Sequence, residues 1–188
     1  MAAQKVPLLQ PAKYLAWEKE QSQKHEYISG EILAMAGASS RHNRIAVRAI
    51  TALELALDHS ECLVFPSDQK VRLREAGPFF YPDVSVACEP VIDDDECLRN
   101  PVVIIEVLSP STDHYDRGEK WSHFRQLASL RHYVLLSQDA PLAEHYSRAS
   151  GEQEIWQYVV LQGPDAVLEL AALEASFALS QLYRRLPS

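Results

Sequence analysis

The stretch from Tyr81 to Lys120, YPDVSVACEPVIDDDECLRNPVVIIEVLSPSTDHYDRGEK, decides the fold. It holds two apolar runs, Val84–Ala87 and Val102–Ile105, and each carries a carboxylate at one end: Asp83 before the first, Glu106 after the second. Four consecutive apolar residues rich in β-branched types predict a strand buried on both faces. Pro82 suits the first position of the other strand. A carboxylate inside such a strand is costly unless something neutralises it. If the strands form an antiparallel hairpin with a symmetric loop, Asp83 falls opposite Glu106 and the two side chains share one face. Carboxylates that close repel unless they share a proton or a cation. An oxygen-loving divalent ion such as Mg²⁺ or Mn²⁺ is the natural third party.

Beyond Glu106 the polar run Ser109–Tyr115 reads as a loop, with Asp116 as the cap of a helix to Ser129. Lys120, Phe124 and Leu127 recur at i, i+4 and i+7, which turns Lys120 toward the protein. Upstream, His25–Gly30 and Glu31–Ala36 read as two strands. Ser39 or Ser40 can cap a helix to about Asp58, whose apolar stripe is Ala46, Ala49, Leu53 and Leu57. His42 begins that stripe one turn earlier. Arg41, Arg44 and Arg48 share another face, a solvated basic face or a phosphate contact.

Together these segments resemble the Uma-type restriction endonuclease family of the PD-(D/E)XK nuclease superfamily. The resemblance rests on Glu26-Tyr27-Ile28-Ser29-Gly30-Glu31-Ile32, His42, Tyr81-Pro82-Asp83-Val84, Glu106-Val107-Leu108-Ser109-Pro110-Ser111-Thr112, and Asp116 through Lys120. It implies a restriction-endonuclease-like mixed β-sheet flanked by helices, here with an added antiparallel β region. It also implies a metal-dependent endonuclease acting on DNA, with Mg²⁺ or Mn²⁺ held by Asp83, Glu106 and the Val107 carbonyl. In the superfamily a lysine lies two residues after the glutamate, but here that seat holds Leu108. The Uma-type branch carries its lysine on the following helix, at the position of Lys120. That lysine is expected to stabilise developing charge, so removing it should slow cleavage with little change in stability. Glu31 and His42 complete the candidate site, and the superfamily's habit of dimerising implies a homodimer. The alternative is a module that binds nucleic acid or protein and has lost catalysis, a reading motivated by Leu108.

With 188 residues and 47% hydrophobic content, a single domain with one core is expected, its first ten residues a loose leader. The net charge of −8 disfavours nucleic-acid binding through bulk charge and demands a local basic patch. Three cysteines without C-x-x-C spacing suit a reducing cytosol better than a disulfide framework. Nothing approaches the length of a membrane span. The run Asp93–Glu96 lacks the alternation of a calcium loop and reads as solvated. Further strands are expected at Cys62–Phe65, Gln69–Arg74, His132–Ser137, Leu142–Ser147, Glu154–Leu161 and Val167–Leu170, with a terminal helix at Leu179–Leu186.

Overall fold

The computed structural model describes residues 9–149 and 155–187. Helix α1 (Pro11–Glu18) leads into a hairpin of β1 (His25–Ile28) and β2 (Glu31–Ala34). Its two-residue turn places Ser29 and Gly30 at φ 50 and 96, the positive values a tight hairpin requires. Helix α2 (Ser40–Ala56) follows, then β3 (Cys62–Pro66), β4 (Val71–Arg72), β5 (Phe79–Phe80), β6 (Val84–Cys88) and β7 (Val103–Val107). A continuous helical stretch comes next, made of α3 (Asp113–Tyr115), a π-helical turn (Asp116–Lys120) and α4 (Trp121–Phe124). The chain closes with β8 (His132–Leu136), β9 (Leu142–Arg148), β10 (Trp156–Gln162), β11 (Val167–Leu170), β12 (Ala175–Ala178) and α5 (Leu179–Tyr183).

The central sheet has six strands in the order β10-β9-β8-β7-β6-β3. Strands β6 and β7 are antiparallel, with Val84 opposite Ile105 and Val86 opposite Val103, so the next rung brings Asp83 level with Glu106. Strands β7 and β8 run parallel, the helical stretch forming their crossover. Side chains alternate across the sheet. Val84, Val86, Val103, Ile105 and Val107 pack against α2, α5 and the β11–β12 pair. Ala87, Ile104 and Leu108 pack on the other face with Phe124, Leu127 and Ile28. Glu106 therefore shares the second face, toward the crossover helix and the small sheet β2-β1-β5-β4. Helix α2 is capped by Ser39, whose side chain accepts from the His42 N–H, and buries Ile45, Ala49 and Leu53 at four-residue spacing.

Several expectations shift. The crossover helix runs from Asp113 to Phe124, not from Asp116 to Ser129, so Asp116 is not its cap. Leu9 is tied down: its N–H donates to Gly30 and its carbonyl accepts from the Tyr27 hydroxyl at 2.7 Å. Residues 1–8 of the expected leader, and Glu154 at the start of the expected strand Glu154–Leu161, lie outside the described residues. Cys62 and Cys88 face each other across β3 and β6 and form a disulfide, where free thiols were expected. Only the sheet register, invisible in the spacing, makes them neighbours. Asp93 is not merely solvated, since it binds Arg72 at 3.0 Å and Arg99 at 3.4 Å.

Two buried histidines give the fold an acid limit. His132 on β8 accepts from the Ala172 N–H through Nε2, so its Nδ1 carries the proton and donates to His145 Nε2 at 2.9 Å. Burial, with the His145 and Arg131 charges adding for His132, lowers both imidazoles to about 4. A histidine with a depressed folded pKa stabilises the fold above its unfolded value, and that stability is lost as pH falls toward the folded one. Urea melts of the protein across pH 6.5 to 4 should lose up to about 3 kcal/mol per imidazole, and less than twice that for the coupled pair. A His145→Gln variant should flatten the profile.

Candidate active site

Asp83 and Glu106 are laced together by the backbone between them. The Asp83 N–H donates to Glu106 Oε2 at 3.3 Å, and the Val107 N–H donates to Asp83 Oδ2 at 2.7 Å. The other Asp83 oxygen lies 2.9 Å from His42 Nε2, because α2 packs its N-terminal turn over the end of β6. Lys120, on the π-helical turn, sets its ammonium 3.0 Å from Glu106, 3.0 Å from Glu26 on β1 and 3.4 Å from Asp116. A π turn inserts one residue into a helix and recurs at functional sites. The Tyr133 hydroxyl donates to the Asp116 main-chain carbonyl within that turn. Glu26 is oriented in turn by the Tyr115 hydroxyl at 2.9 Å and the Tyr81 N–H at 3.3 Å. Glu26, Glu106, Asp116 and Lys120 are 3–5% exposed, so the ion pairs are shielded from water.

The charges do not balance. Burial raises the Glu106 carboxyl; Lys120 pulls it down, while Asp116, Asp83 and Glu26 push it up, leaving it well above the usual range. Asp116 is raised for the same first reason, with Lys120 and a Thr112 hydrogen bond opposing. Burial alone would depress Lys120, but Glu106, Glu26 and Asp116 outweigh it and hold the ammonium charged. Four carboxylates thus surround one ammonium and one imidazole. Among the described residues no three His, Cys, Asp or Glu side chains form a metal cage. Mg²⁺ needs none: it is commonly held by one or two carboxylates with water completing its octahedron. The Asp83–Glu106 pair, with spare lone pairs and uncompensated charge, fits such an ion.

The site's elements lie in the order and spacing of a known family. The sequence model described as "Uma2: Putative restriction endonuclease" matches residues 11–181. The chain belongs to the Uma2 family. Two uncharacterized proteins of Synechocystis sp. (strain PCC 6803) are similar over nearly their whole length. One, slr1290, is 36% identical over 96% of this chain and 94% of its own; the other, sll1609, is 34% identical over 89% and 95%. A crystal structure of a putative nuclease belonging to DUF820 from Anabaena variabilis superposes with a TM-score of 0.75, covering 93% of this chain and 97% of that one. At 16% identity this likeness shows the shared fold, a mixed α/β nuclease-like architecture. Among the described residues no helix is long and apolar enough to cross a membrane.

In this Uma2 chain, Asp83, Glu106, Lys120 and His42 are brought together. Val107 adjoins them through its N–H, which is committed to Asp83. Glu31 is not brought in: it is the exposed first residue of β2, opposite Ile28 at the hairpin turn. The carboxylate that β1 delivers is Glu26, five residues earlier. The signal for Glu26 was present, a carboxylate within the buried run Glu26-Tyr27-Ile28. Asp116 could have been found as the i−4 neighbour of Lys120 on an inward-facing stripe. Leu108 is buried on the same face as Glu106, packed in the cluster that contains Phe124.

Proposed function

We propose that this protein is a metal-dependent endonuclease that hydrolyses phosphodiester bonds in DNA, with Mg²⁺ or Mn²⁺ held by Asp83, Glu106 and the Val107 carbonyl. The observation that carries this reading is the close Asp83–Glu106 pair, Glu106 buried and Asp83 half-buried, with Lys120 beside Glu106 and His42 beside Asp83. When bound, the cation polarises a phosphate oxygen and acidifies a water. The chain's own residues prepare that site. His42 and the Val107 N–H fix both oxygens of Asp83. Lys120 opposes the rise that burial imposes on the Glu106 carboxyl and, by binding one of its oxygens, leaves the other to the Asp83 N–H. Tyr115 and Glu26 fix the ammonium from behind. Superfamily membership supports DNA as substrate and a homodimer that sets two sites on one duplex.

The test is a turnover assay on plasmid and single-stranded substrates with Mg²⁺, with Mn²⁺, and with chelator. Cation-dependent nicking is the expected result. A second reading, a catalytically lost binding module, is favoured by one observation: the buried Lys120 ammonium is hydrogen-bonded to Glu106 and ion-paired with Glu26 and Asp116, enclosed by carboxylates rather than open to a phosphate. Metal-independent binding without cleavage would support it.

The charge excess also predicts a linkage between pH and metal. Glu106 and Asp116 have raised folded pKa values, so their stabilisation is present at low pH and is lost as pH rises above the unfolded carboxylate value. A cation replaces the missing protons. Thermal melts should therefore show Mg²⁺ raising Tm more at pH 8 than at pH 5.

A further inference from the structure

Four arginines gather where the C-terminal segment runs beside α2. Arg44 and Arg48 lie four residues apart on one flank of that helix. Arg184 and Arg185 follow α5, which packs against α2. The segment is pinned on both sides of them. The Tyr183 hydroxyl donates to the carbonyls of Ser137 at 2.7 Å and Leu142 at 3.0 Å, and Arg41 Nη1 donates to that of Pro187 at 3.1 Å. Arg185 sits in the left-handed region at φ 54, a conformation non-glycine residues seldom adopt, and both Arg184 and Arg185 are exposed.

Several other arginines of this acidic chain are spoken for, though among the described residues Arg125 and Arg131 are not. Arg72, Arg99 and Arg117 bind carboxylates, and Arg41 binds main-chain carbonyls. Arg44, Arg48, Arg184 and Arg185 make no ion pair or side-chain hydrogen bond among the described residues. Arg48 Nε is shielded from solvent without a partner, although the residue as a whole is half-buried. Its own desolvation first, and then the nearby charges of Arg44, Arg184 and Arg185, lower its pKa. An anion would relieve that repulsion and satisfy the orphaned donor.

The cluster is close to the candidate site yet separate from it. His42, bound to Asp83, begins the helix that carries Arg44 and Arg48, which lie about 3 and 9 Å further along its axis. Phosphates of one strand rise about 3.4 Å apiece along a duplex axis, so the roughly 6 Å between the two arginines spans about two such steps. By helical position Arg44 and Arg48 stand on a different flank of α2 from His42.

We propose that Arg44, Arg48, Arg184 and Arg185 form a clamp for the phosphate backbone of nucleic acid, flanking the Asp83–Glu106 site. The proposal rests on the nuclease reading for its ligand, and its test does not depend on cleavage. Binding of a labelled short duplex is followed by fluorescence anisotropy in chelator, over a salt series, for the full-length protein and its variants. Each arginine removed should lessen the slope of log K against log salt by about 0.9, and all four together by about 3 to 4. Replacing all four by lysine should keep the slope. The exposed pair alone, Arg184→Ala with Arg185→Ala, should lessen it by nearly 2, and serves as the test if the fourfold variant does not fold. A fourfold alanine variant that melts normally with an unchanged slope would overturn the clamp, as would lysines that lose as much as alanines. So would patch-dependent binding to anionic lipid vesicles by a protein with no affinity for the duplex. Wild-type protein that binds through this patch but cleaves nothing removes the nuclease reading and keeps the clamp. Cleavage with an unaltered slope in the variants does the reverse.

Discussion

Lys120→Met is expected to destabilise the protein by about 3–5 kcal/mol, the scale for removing one partner of a buried ion pair. Methionine keeps the stem but leaves Glu26, Glu106 and Asp116 facing one another with no cation among them. These carboxyls must then take up protons to stay buried, so the loss should be greatest at alkaline pH and shrink as pH falls. This reverses the expectation that charge removal at Lys120 would leave stability nearly intact. That expectation gave the ammonium a role in cleavage alone; the structure gives it three carboxylate partners at 5% exposure. Cleavage should fall by about two to three orders of magnitude as well, since Glu106 loses the partner that fixes its charge. Leu108→Lys in the same background should recover part of the stability, because Leu108 packs on the Glu106 face. Urea denaturation at several pH values decides the matter. A variant as stable as wild type at pH 8 would show that the carboxylates need no ammonium.

Asp83→Asn is expected to remove cation-dependent cleavage, by about three orders of magnitude or more, while the fold survives. Asparagine keeps an oxygen for the Val107 N–H and lets its amide meet His42, whose ring nitrogen can accept. One negative charge beside Glu106 disappears, so stability in chelator should hold or rise. The rise of Tm on adding Mg²⁺ should vanish with it. The check is paired: nicking of plasmid, and melts with and without metal. A variant that unfolds in chelator would make Asp83 structural.

Much of this was written in the sequence for a physical reason. Asp83 and Glu106 stood out because carboxylates are conspicuous against β-branched runs, and the register of a symmetric hairpin is the one the two strands adopt. Lys120 was legible because Phe124 and Leu127 continue its stripe, and both are buried. Glu26 was passed over because its strand is only four residues long and ends at a turn, which drew attention to Glu31. Asp116 looked like a cap because it precedes an apolar stripe; the π turn that buries it adds a single residue and leaves no mark on the periodicity. Arg41 shares the spacing of Arg44 and Arg48, yet the loop after β8 claims it through the Gln138 carbonyl. The Cys62–Cys88 pairing is of the same kind, a product of sheet order that spacing cannot carry.

The measurement that bears most directly on the central claim is an anomalous difference map from crystals soaked in Mn²⁺. A manganese peak is expected beside Asp83 and Glu106, lost in crystals of Asp83→Asn. An Asp83–Glu106 pair with no peak at saturating Mn²⁺, or a peak unchanged by the Asp83 substitution, would contradict it.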